Sequence, residues 1–237
     1  MVSKTGLSES VRAFRWAEVR DGLAERPDLL GVRDARGRNW LHLCCASPLT
    51  PARDSAQSIR LADLLLELGL GIDDPAFTEG AWQATPLWFA ISRGRNLALA
   101  EHLLKRGCHP GYSLFAAVWN DDRAAIRLLV RHGAKVDDDS SPGETPFFAA
   151  VAWSRFGPAE DLLAAGADPD FRDPMGRTAL HLMLKKGSAP DRLMMIAAAG
   201  ARGDIPDGEG RTAVDLLRRK RDPAYHAVAE RLAANVA

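Results

Sequence analysis

Short apolar stripes at helical spacing run along this chain, and most of them stop at a glycine. Leu103-Leu-Lys-Arg-Gly107, Leu129-Val-Arg-His-Gly133, Leu162-Leu-Ala-Ala-Gly166 and Ile196-Ala-Ala-Ala-Gly200 share one form, with Leu65-Leu-Glu-Leu-Gly69 as a looser copy. Ahead of each lies another apolar stripe: Asn39-Trp-Leu-His-Leu-Cys-Cys, Thr85-Pro-Leu-Trp-Phe-Ala-Ile, Tyr112-Ser-Leu-Phe-Ala-Ala-Val, Thr145-Pro-Phe-Phe-Ala-Ala-Val and Thr178-Ala-Leu-His-Leu-Met-Leu. Both kinds predict helices, because Leu and Ala at this spacing give each segment one apolar face. Threonine caps through its hydroxyl, proline sits where no helical N–H is needed, and glycine supplies the left-handed stop.

The alternation is periodic. Gly133 to Thr145, Gly166 to Thr178 and Gly200 to Thr212 are each 12 residues, while Thr145 to Thr178 is 33 and Thr178 to Thr212 is 34. Opening motif to closing glycine is 22, 21, 21 and 22 residues in the second to fifth units. Self-similarity at this period means stacked supersecondary units. The unit resembles the ankyrin repeat, whose turn leads into a Thr-Pro-Leu-His-x-Ala-Ala inner helix, then a second helix ending Leu-Leu-x-x-Gly-Ala, then a hairpin.

That resemblance covers nearly the whole chain. It implies an all-α, ankyrin-type α-solenoid of about six helix-turn-helix repeats with short β-hairpin fingers and terminal caps. We read a single domain over 1–237, with an N-terminal cap at 1–36, central repeats at 37–209 and a C-terminal cap at 210–237. Caps are needed because an end repeat otherwise exposes its inner face. Ser8 to Gly31 reads as a degenerate opening helix pair, and Arg211 onward as the closing one, with a last helix through Tyr225, Val228 and Leu232.

Three spacings depart from the pattern. Asn39 to Gly69 is 30 residues, a surplus of about eight that is rich in Pro, Ser and Thr, so Pro48 to Ser58 is expected to be a mobile loop between two helices. Gly69 to Thr85 is 16, which calls for a longer hairpin, and Gly107 to Tyr112 is only 5, which leaves a tight turn at Cys108-His-Pro-Gly111.

Composition narrows the function classes. Lys+Arg and Asp+Glu are both 31, so no global field draws in nucleic acid or an anionic membrane. Only six of the bases are lysine, which suits a GC-rich genome and suggests a bacterial source. The start of the chain has no apolar stretch of signal type, and no run nears the roughly 20 residues that span a bilayer. Cys44, Cys45 and Cys108 lack a disulfide or metal spacing, so a reducing cytoplasm is expected.

Candidate chemistry is sparse. His42 and His181 sit at the histidine of the ankyrin motif, where the resemblance implies bonds to neighbouring backbone. The other histidines share no ligand spacing. Asp137 to Asp139 and Asp168, Asp170 and Asp173 fall at hairpin tips without a calcium-loop pattern, and read as solvated turn acids. No phosphate-cradling glycine loop or nucleophile motif is present. No cofactor or metal is expected, and a site in the unusual loops would lack an arranged nucleophile and base.

The resemblance places partner contacts on the inner helix, after its Ala-Ala pair. Counting unit by unit, these are Ala46-Ser47, Ser92-Arg93, Trp119-Asn120, Ala152-Trp153, Lys185-Lys186 and Arg219-Lys220. Ser92, Arg93, Trp119, Asn120, Trp153, Lys185, Lys186, Arg219 and Lys220 are the candidate partner-binding residues. Trp119 and Trp153 stand out, since tryptophan is a frequent interface anchor. Trp40 and Trp88, inside the motif, read as packing. The expected function is a non-catalytic protein-protein interaction module in the cytoplasm, a monomer binding a protein partner and neither nucleic acid nor membrane. The alternative is a dedicated inhibitor or immunity protein that neutralises a toxin or effector.

Overall fold

A computed structural model describes residues 2–236. The first and last residues of the expected caps, Met1 and Ala237, lie outside the described residues. Helices come in pairs joined by short turns: α1 (Lys4–Arg12) with α2 (Trp16–Glu25), α3 (Trp40–Ala46) with α4 (Ser55–Glu67), and α5 (Pro86–Phe89) with α6 (Leu97–Lys105). After them come α7 (Leu114–Trp119) with α8 (Arg123–Arg131), α9 (Pro146–Ala152) with α10 (Phe156–Ala164), α11 (Ala179–Lys186) with α12 (Pro190–Ala198), and α13 (Ala213–Arg218) with α14 (Pro223–Ala234). Sheet among the described residues is confined to one hairpin, β1 (Thr78–Glu79) and β2 (Trp82–Gln83), paired antiparallel in the finger expected to be long.

The chain forms two compact units, residues 2–117 with Arg131–Ala134, and Val118–Val130 with 135–236. In the first, α1, α3 and α5 pack successively, and α2, α4 and α6 pack behind them. Leu41, Leu61, Leu65, Leu87, Leu99 and Leu103 fill this core without exposure. In the second, α9, α11 and α13 line up, backed by α10, α12 and α14, around Phe147, Leu162, Leu180, Leu193, Ile196 and Leu217.

The helix starts work as the motif suggests. The hydroxyls of Thr85, Thr145 and Thr212 accept the backbone N–H groups of Trp88, Phe148 and Asp215, each three residues on. In the third unit Tyr112 is left-handed (φ 66°), and the helix begins two residues later, at Leu114.

The acids at the turns correct the sequence reading. Asp34, Asp173 and Asp207 each open an Asp-x-x-Gly-Arg turn. Asp173 and Asp207 are buried, and both accept from backbone N–H groups two and four residues on while pairing with the arginine four residues on, at 2.6 and 2.8 Å. The Arg211 guanidinium, with the N–H groups of Arg211 and Glu209, holds the Asp207 carboxyl down at about 2. These carboxylates organise the fingers from inside the turn. Asp137 and Asp170 also serve structure: they accept the backbone N–H groups of Asp168 and Arg202, tying each finger to the next.

The insertion after α3 is shorter than expected. Helix α4 starts at Ser55 and has 13 residues against nine in α6, α10 and α12, so half of the surplus lengthens a helix. The remaining loop folds back through a Thr50–Arg53 bridge, and the Arg53 guanidinium donates to the carbonyl of Arg12 at 2.8 Å. Ser58, placed in the loop by the sequence reading, is fully buried, where its hydroxyl accepts from the Asn96 amide at 2.8 Å.

Candidate binding surface

Each inner helix from the second to the fifth unit ends in a left-handed residue: Arg95, Asp121, Ser154 and Gly187. That residue lies nine positions after the unit's opening in three cases but ten after Thr85. The extra residue is absorbed by a π turn over Ala90–Gly94, closed by the Arg95 N–H donating to the carbonyl of Ala90, and the Asn96 N–H reaches the same carbonyl at 3.1 Å. The pair matching Trp119-Asn120 and Ala152-Trp153 is therefore Arg93-Gly94, which corrects the count that gave Ser92-Arg93. Arg93 is exposed, whereas Ser92 is half-buried. Gly94 lies against α3: a Cβ there would stand 2.1 Å from the carbonyl oxygen of Cys45.

In the second compact unit the two tryptophans meet. Trp119 ends α7 and Trp153 caps α9, and their rings contact edge to face with centroids 5.1 Å apart. Trp119 stays 63% exposed, the most open large apolar side chain among the described residues. Asn120 follows it in the turn to α8, and Arg155 stands 3.9 Å from the carboxylate of Asp121. The two lysines expected beside them differ. Lys186 turns back to donate its ammonium to the carbonyl of Ala152 and to the Ser154 hydroxyl, so it stitches the end of α11 to the end of α9. Lys185 is exposed and forms no ion pair among the described residues.

Lys185 lines a groove of about 540 Å³ with Arg219 and Lys220, two more of the expected contacts. Met175, Leu184 and Leu216 supply its apolar lining, and Met175 is 60% exposed. The bounding fingers bring Arg177, Asp207, Glu209 and Arg211. Their charges are internally matched, because Arg177 pairs with Asp173, and Arg211 with both Asp207 and Glu209. Glu209, a finger-tip residue, thus belongs to the same groove as the inner-helix bases. His181, at the groove wall, spends Nε2 on the carbonyl of Arg211 at 2.9 Å.

The remaining conspicuous residues are structural. His42 is buried, its Nδ1 meeting the Asn39 N–H and its Nε2 the carbonyl of Asp74 at 2.8 Å. Burial pushes its pKa down to about 4. Trp40 is buried and donates Nε1–H to the carbonyl of Leu29. Phe77 and Trp82 of the long finger continue edge to face onto Trp88 and Phe89 of α5, with Trp82 reaching the carbonyl of Tyr112 at 3.4 Å. The long finger thereby covers the place where the following one is cut short. Burial raises the thiol pKa values of Cys44, Cys45 and Cys108, that of Cys108 to about 12, so these are inert core residues.

No protein-family profile matches the chain. Human Inversin is 39% identical over 90 residues, 38% of this chain and 8% of that protein. Phosphocholine transferase AnkX of Legionella pneumophila is 29% identical over 147 residues, 57% of this chain and 15% of that enzyme. The chain thus matches only a small part of these relatives. Among solved structures, the human ASB11 ankyrin repeat domain superposes with a TM-score of 0.71 at 21% identity, covering 95% of this chain and 96% of that one. The ankyrin repeat domain of Bcl-3, a member of the IkappaB protein family, gives 0.73 at 18% identity, covering 94% and 97%.

Proposed function

We propose that this chain, which has the ankyrin repeat fold, is a non-catalytic module that binds a protein partner through the inner-helix ends that carry Trp119 and Trp153. The exposed Trp119, braced edge-on by Trp153, carries this reading. A tryptophan left 63% open pays for its exposure only when something covers it, and the edge-to-face contact fixes its orientation beforehand. Lys186 ties the end of α11 to the end of α9, where Trp153 stands, while Lys185, Arg219 and Lys220 supply positive charge on the inner-helix ends of α11 and α13. Arg93, on the equivalent inner-helix end of the repeat that opens at Thr85, is a further contact of the same kind.

The test is a binding assay with the partner recovered from the native source. Trp119→Ala with Trp153→Ala should weaken binding by about 2 kcal/mol or more. Thermal stability should change little for Trp119→Ala alone, since that side chain is mostly in solvent. Unchanged affinity in a folded double variant would remove the tryptophan pair from the interface.

A further inference from the structure

The groove between α11, α13 and their fingers has a chemistry of its own. Lys185, Arg219 and Lys220 project from two neighbouring helix ends, and none of them pairs with an acid among the described residues. The ammonium of Lys220 stands over the face of Tyr225, 5.7 Å from the ring centroid. The two carboxylates that do line the groove, Asp207 and Glu209, are already engaged by Arg211 at 2.8 and 2.7 Å. Positive charge is therefore left over at the rim, above a strip made by Met175, Leu184 and Leu216.

Building on the protein-binding reading above, we infer that this groove takes an acidic segment of the partner, with an apolar side chain seated on Met175 and carboxylates facing Lys185, Arg219 and Lys220. Charge complementarity selects the acids, and the exposed methionine selects the apolar residue, its flexible thioether adapting to the shape of the guest. Nucleic acid fits less well. The apolar lining is Met175, Leu184 and Leu216, the one ring among the lining residues, His181, is buried and bonded to the Arg211 carbonyl, and the chain as a whole carries no net charge.

Selection of a displayed random-peptide library on the full chain tests this. The recovered peptides should carry Asp and Glu next to Leu, Ile, Phe or Met, and their affinity should fall as salt rises. Against the K185E/R219E/K220E variant, synthetic versions should bind about tenfold more weakly or worse. Met175→Asp is an independent second variant, tolerated because the side chain is largely in solvent, and it should repel the same peptides. Neutral or basic peptides, or acidic ones indifferent to both variants, overturn the inference. If those peptides still lose affinity when Trp119 and Trp153 are replaced, the acidic occupant fails while the protein-binding reading stands. A single-stranded oligonucleotide that binds the wild type and depends on the same three cations would also overturn it.

Discussion

Acidification should weaken the first unit through one residue, His42. Its imidazole is fully buried, with both ring nitrogens committed to hydrogen bonds, and burial lowers its pKa from 6.5 to about 4. The unfolded chain takes up a proton near pH 6.5 that the folded chain refuses until near pH 4. Stability from this residue is therefore complete above pH 6.5 and is lost as pH falls through that window. At about pH 5 the loss is about 2 kcal/mol, rising to about 3 kcal/mol below the folded value. The carboxyls of Asp34, Asp173 and Asp207 are lowered below their usual range, so their own losses begin only in stronger acid. Those of Asp137, Glu144 and Asp170, raised by burial, work in the opposite sense. Urea denaturation of the wild type and of His42→Gln, at about pH 7.5 and about pH 5, isolates the histidine. The variant is less stable throughout, but its stability should drop by about 2 kcal/mol less between the two conditions. Equal drops in the two proteins would show that this imidazole is not excluded from protonation by the fold.

Two further perturbations address the scaffold. Gly94→Ala places a methyl 2.1 Å from the Cys45 carbonyl, a backbone atom that cannot rotate away, so a loss of about 1–3 kcal/mol is expected in a thermal or urea melt; an unchanged midpoint would mean that the π turn relaxes freely. Removing Arg211 onward strips Leu217, Val228 and Leu232 from the core and the Asn235 bonds from the end of α12, a loss of about 6 kcal/mol in apolar burial, and should lead to aggregation in light scattering. A dispersed, fully helical truncation would count against a capping role.

The repeat and its register were legible in the sequence because each step has a local cause. A capping threonine, a first-turn proline, a helical stripe and a left-handed glycine act within a few residues of one another, so their spacing survives as a pattern along the chain. The departures were legible as lengths: the long finger is the one that forms β1 and β2, and the short one is the tight turn before Tyr112. Spacing could not tell a longer loop from a longer helix, and α4 took half of the surplus. Nor could it register the π turn at Ala90–Gly94, where the approach of Cys45 from α3, the preceding inner helix, leaves no room for a side chain on Gly94.

For the candidate surface, counting placed Trp119, Trp153, Lys185 and Lys186 on successive inner helices, but side-chain partners were settled only in three dimensions. Lys185 and Lys186 are adjacent and chemically identical, yet one faces the groove and the other donates to the end of the neighbouring helix. The fingers show the same division. Asp-x-x-Gly-Arg at 173–177 and 207–211 is visible as a repeated string, while the burial of those carboxylates depends on the backbone folding around them. Helix, turn and period follow from residues close in sequence. Which charges remain free follows from residues far apart in sequence, such as Lys186 and the Ala152 carbonyl 34 positions before it, and only packing of successive repeats brings those together.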